Sequence, residues 1–185
     1  MLRTTAFALG FLLITTLGFS QVPTSGNVFV GYSYLSADLP GDRVNLNGWN
    51  GSVEGKVLPL LGVVADFSGQ YGSQNPPRFG ACPGGVLGTS CSVHEHNFLF
   101  GPRLSFSVGK FRPFVHGLIG AGHISESAGG FSSSDTSFAD ALGGGIDYRL
   151  IPLIGWRVQV DALQTRFFGT TQQNVRISTG ITVHF

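Results

Sequence analysis

Lysine, cysteine and methionine are scarce in this chain: two lysines, two cysteines and one methionine among 185 residues. Charged residues make up 11%, less than half of the ~25% typical of a water-soluble domain. The formal net charge of +1 gives no electrostatic reason to bind nucleic acid. Alanine, glutamate and lysine are too few, and glycine too frequent, for a helical bundle. After the first twenty residues no apolar run approaches the ~20 residues of a membrane helix. No glycine-rich phosphate loop leads from a strand into a helix, so no cofactor is expected. Against these shortages stand 28 glycines and 16 phenylalanines. Plentiful aromatic and β-branched residues oppose disorder, and the length suits one domain. An all-β protein with unusually apolar surfaces remains.

The N-terminus reads as an export signal. Arg3 supplies the positive start, residues 6–19 the apolar core, and Gly18 and Ser20 the small residues before Gln21. Residues 1–20 are therefore expected to be a signal peptide, with 21–185 forming the domain. Without Arg3 the remainder carries ten basic and ten acidic residues. Export places Cys82 and Cys91 in an oxidising compartment, where a local disulfide is expected. Zinc-finger spacing is lacking.

Eight segments alternate with period two: 27–35, 48–57, 63–71, 94–106, 112–123, 137–148, 155–166 and 174–185. They exceed the ~5–6 residues of a soluble sandwich strand and match the ~9–11 of a tilted membrane strand. The connections 36–47, 72–93 and 124–136 are long, whereas 58–62, 107–111 and 149–154 are short; 167–173 is intermediate. Such alternation predicts an eight-stranded antiparallel up-and-down transmembrane β-barrel, with short periplasmic turns and long extracellular loops.

In hydrocarbon the apolar faces must point outward. The opposite faces carry Glu54, Lys56, Asp66, Arg103, Asp147, Arg157, Asp161 and Arg176. Four acids and four bases predict a lumen filled by ion pairs. Eight strands leave just enough room for side chains, and Gly31, Gly101, Gly143, Gly145 and Gly180 are expected to make space for them. Trp49, Tyr71, Phe111, Phe114, Tyr148, Trp156, Phe167 and Phe168 are expected in interfacial girdles. Segment 112–123 is rich in small residues and leaves its faces open.

The terminal Phe185, on a strand apolar at alternate positions back to Val175, resembles the C-terminal insertion signal of outer-membrane barrels. The stretches Val28–Tyr34, Phe98–Arg103 and Gly143–Tyr148 resemble the eight-stranded barrel family related to the membrane domain of outer membrane protein A. The resemblance spans residues 22–185 and is more specific for fold than for role. It implies a location in the outer membrane, contact with its lipid, handling by periplasmic chaperones and the insertion machinery, and a monomer. The implied function is structural or surface-interactive, without enzymatic activity and with an extracellular ligand that the sequence does not name.

Two alternatives belong to other classes. His123 and Ser125 resemble the His-x-Ser pair of barrel lipid A deacylases, with Glu126 or Asp140 as the orienting acid. Three-residue patterns recur by chance, so this stands second. A narrow channel through the lumen is the other. His94 and His96 share a strand face, but a metal site needs a third ligand that the sequence does not offer; they are expected at the outer rim.

Overall fold

The computed structural model describes residues 25–39, 42–74 and 91–185. The expected export signal (1–20) and Cys82 lie outside these residues. Eight strands follow in chain order: β1 (Gly26–Leu39), β2 (Asp42–Lys56), β3 (Leu61–Gln74), β4 (Cys91–Ser105), β5 (Phe111–Ala128), β6 (Phe131–Ile151), β7 (Ile154–Thr165) and β8 (Gln172–His184). Each pairs antiparallel with its neighbour, and β1 pairs with β8 from Asn27↔His184 to Ser36↔Val175, which closes the barrel. Closure satisfies the ladder of every strand and leaves no edge. No helix among the described residues is long and apolar enough to cross a membrane.

Period-two alternation dictates the faces. Outward-pointing Val28, Val30, Phe67, Phe100, Ile119, Leu142, Val160 and Ile181 are exposed. Trp49, Tyr71, Phe138 and Phe168 ring this belt at one end; Phe111 and Trp156 ring it at the other. A protein bathed in water would bury such surface, at roughly 25 cal/mol per Å². Here it is the outer wall, and most of the charged side chains on the strands point inside.

One end of the barrel holds both ends of the sheet and the short turns after β2, β4 and β6. At the other end the strands run on past the aromatic ring. Segments 36–47 and 124–136, expected as open loops, are largely paired strand. β1 and β2 stay in register to Leu39↔Asp42, and β5 and β6 to Ala128↔Phe131. The second tip is a two-residue turn in which Gly129 and Gly130 both take positive φ (57° and 87°), a conformation that L side chains rarely adopt. The Ser- and Thr-rich stretch before and after it alternates as a ladder, with Ser125↔Ser134 and Ser127↔Ser132. After β7 a single turn (Phe167–Gly169) bends the chain back. Its Phe168 has φ 52°, and its N–H donates to Asp135 Oδ2 at 2.6 Å.

Candidate functional site

The lumen is divided into two layers. Its middle and lower part is polar, and all eight charged residues singled out above point into it, nearly or fully buried. They fall into three groups. Glu54 takes Lys56 at 2.9 Å and Arg103 at 3.2 Å. Asp147 accepts both Nε and Nη2 of Arg157, at 2.6 and 2.8 Å. Arg176 binds Asp161 through Nε and Nη2 (2.9 and 2.8 Å) and Asp66 through Nη1 (2.8 Å). Paired guanidinium donors on a carboxylate fix geometry as well as charge.

Uncharged groups join the three. Asn27 donates to Glu54 at 2.7 Å and accepts from Arg157 at 3.0 Å. Gln159 donates to Asn50 and to Asp161, and Asn50 donates to Asp66. His116 stands between Arg103 (3.1 Å) and Asp161 (2.7 Å). The Phe114 ring lies under two guanidiniums, Arg103 at 4.3 Å and Arg157 at 4.8 Å from its centroid. Phe114 and His116 had escaped the sequence because β5 carries small residues on both faces. Their inward direction corrects Phe114 from girdle to lumen. Phe167 is corrected likewise, since it is fully buried.

Glycine makes room for the network at several positions: a Cβ on Gly62 would meet Glu54 Oε1 at 2.6 Å, and one on Gly145 the Phe114 ring at 2.8 Å. A Cβ on Gly143 would meet Asp161 Oδ1 at 2.1 Å. At Gly31 and Gly180 the obstruction is backbone instead: each Cβ would strike the opposing strand at 2.2–2.3 Å. These two glycines permit close strand approach and are not spacers for long side chains.

The outer layer is mainly apolar, with Gln70, Thr165, Gln172 and Asn174 buried beside its hydrophobic side chains. Leu35, Leu46, Val93, Leu99, Leu118, Ile124, Leu163 and Phe167 form one buried cluster inside the barrel. Cys91 is buried in the same cluster at the start of β4. Glu95 is buried beside this cluster, opposite Ile124, and accepts from Asn97 at 2.9 Å.

The candidate catalytic residues are spread over two faces. His123 and Ser125 share the outward face of β5, while Glu126 is buried on the inward one. Asp140 lies opposite Ile119, lower on the wall than the Thr136 that faces His123. His123 Nδ1 is paired with Thr136 Oγ1 at 2.7 Å. His94 and His96 are outward at the outer aromatic ring, and His96 meets the Tyr71 hydroxyl at 3.1 Å. Among the described residues no trio of His, Cys, Asp or Glu is arranged to hold a metal ion.

No protein-family profile and no curated protein matches the chain. Solved structures do. Neisserial surface protein A superposes with a TM-score of 0.67 at 14% identity, covering 86% of this chain and 97% of its own. Ail, the attachment invasion locus protein of Yersinia pestis, reaches 0.62 at 17% identity, covering 87% and 98%. The N-terminal β-barrel domain of Pseudomonas aeruginosa OprF gives 0.54 at 11%, covering 86% and 99%. The chain has the fold of the eight-stranded bacterial outer-membrane barrels. Because those chains are matched over nearly their whole length, this barrel comprises their complete set of strands.

Proposed function

We propose that this outer-membrane barrel is a sealed scaffold that presents its extended hairpins at the cell surface for interaction. The observation that carries the proposal is the contrast between a lumen closed by two layers of packed side chains and hairpins that continue beyond the membrane belt. A conduit would need a continuous wet path, and the near-complete burial of the ion-pair residues and of the apolar cluster supports a filled lumen instead. The lumen charges are accordingly structural. Among the relatives, Ail is named for attachment and invasion and one of its structures holds a heparin analogue, and another is a surface protein; both agree in kind with this role. The hydroxyl ladder at the β5–β6 tip gives such a surface many donors and acceptors.

The barrel sits in the outer membrane with its termini in the periplasm. Phe185 is exposed on the belt and its backbone exchanges hydrogen bonds with Gly26, N→O 2.9 and 3.1 Å. It serves as the insertion signal read by the assembly machinery after chaperone delivery. A Cys82–Cys91 disulfide ties the connection before β4; complete thiol labelling without reductant would refute it. The test of function has two arms. Planar bilayers carrying the purified barrel should show no conductance steps. Cells expressing a form shortened at Ser127–Ser132 should insert the barrel normally, by heat-modifiable migration, yet adhere less to surfaces. Stepwise conductance, or adhesion unchanged by every hairpin truncation, overturns the reading.

A further inference from the structure

Both lysines of this lysine-poor chain lie at the periplasmic mouth. A recess of about 140 Å³ opens there, lined by Lys56, Lys110, Arg112, Arg149 and His184. Its one acidic side chain is Asp147. Asp147 is held bidentately by Arg157, and the Lys56 charge is taken by Glu54. Lys110, Arg112 and Arg149 have no ion pair among the described residues. Three cations with no acidic side chain left to pair them make the recess positive, although residues 21–185 as a whole carry ten basic and ten acidic residues. The site is held in place by backbone. Val108 and Phe111 exchange hydrogen bonds around Gly109–Lys110, and Arg149 N donates to Lys110 O at 2.8 Å.

An apolar groove of about 350 Å³ adjoins the recess on the outer wall, lined by Leu60, Leu104, Phe106, Pro113 and Val115. The two share a border. Phe111 and Arg112 line the recess and the next residues of β5 line the groove. Lys56, in the recess, donates to Ser105, in the groove. Cationic hollow and greasy channel therefore meet at the periplasmic edge of the membrane belt.

We infer that this edge is a binding site for an anionic phospholipid of the inner leaflet. Its phosphate is held by Lys110, Arg112 and Arg149, and an acyl chain lies against Leu104 and Val115. Guanidinium and ammonium groups suit phosphate, and each cation at an anionic lipid surface contributes enough for about a fivefold change in affinity. The inference rests on the membrane placement given above, which heat-modifiable migration checks separately.

The experiment uses the full chain in nanodiscs of phosphatidylcholine containing a minor fraction of phosphatidylglycerol, followed by native mass spectrometry of retained lipid. Wild-type barrel should keep phosphatidylglycerol in preference to phosphatidylcholine. Lys110→Gln, Arg112→Gln and Arg149→Gln should each lower that preference about fivefold while the barrel still folds. Leu104→Ser should lower retention of both lipids, and inorganic phosphate should not displace the lipid. Equal retention of the two lipids by wild-type barrel, or an unaltered preference in all three cation variants, overturns the site. Full displacement by inorganic phosphate, with Leu104→Ser neutral, overturns the lipid in favour of a free anion.

Discussion

The lower lumen and the outer lumen of this barrel solve the same packing problem with opposite chemistry. In the lower layer Arg103, Arg157 and Arg176 are the largest fully buried side chains, and each is tied to a carboxylate. In the outer layer the same cylinder is filled by leucine, isoleucine, valine and Phe167. Charge burial is strongly penalised unless every partner is present, so the lower layer acts as one interlocked unit. The apolar side chains of the outer layer have no directional partners of their own and act more independently. The lower layer specifies one arrangement of strands, and the outer one adds stability where the hairpins leave the support of the bilayer.

This contrast breaks most sharply at Arg157. Arg157→Met strands Asp147 without its cation and should lose about 3–5 kcal/mol. Adding Asp147→Leu should recover much of that, because an empty pair of positions is less unfavourable than a lone buried charge. Urea unfolding of the three proteins in lipid vesicles measures both effects. A single variant as stable as the parent would show that water already solvates Asp147.

The outer layer should behave differently under the same test. Leu118→Ala should lose about 3 kcal/mol through lost burial and a cavity, and no second truncation nearby should restore it. Rescue by a neighbouring substitution would mean that the apolar layer is as interlocked as the ionic one.

The difference between the layers also decides what could be read from the sequence. Closure and the outward belt were legible because strands such as β7 and β8 alternate cleanly, with Trp156, Val158 and Val160 against Arg157, Gln159 and Asp161. The eight charges were legible because each lies on the strand face opposite the apolar one. The apolar layer was not, for two reasons. Equating inward with polar hides Leu99 and Leu163, which sit on the same faces as Arg103 and Asp161. Reading Ser, Asp and Gly as loop formers hides Ala37, Val44 and Ile124, whose strands continue into the hairpins. His116 and Phe114 were lost to the many small residues of β5; only pairing with β4, where Arg103 faces His116, assigns their direction.

The smallest effect sharpens the comparison at the top of the outer layer. Glu126 lies above the aromatic ring, beyond the membrane belt, and is buried on the inward face of β5 among apolar neighbours. Burial raises its carboxyl above the usual carboxylate range. A raised acid stays protonated in the folded barrel to higher pH than in the unfolded chain. The fold therefore carries no penalty below the ordinary carboxylate pKa, and a growing one as pH rises through the interval up to the folded value. Glu126→Gln removes the ionisable group. It should match the parent in acid and unfold at higher urea than the parent at neutral pH, by less than either variant above shifts the midpoint. A glutamine variant that is less stable at neutral pH would reveal a cation paired with Glu126, and the outer layer would then share the ionic logic of the lower one.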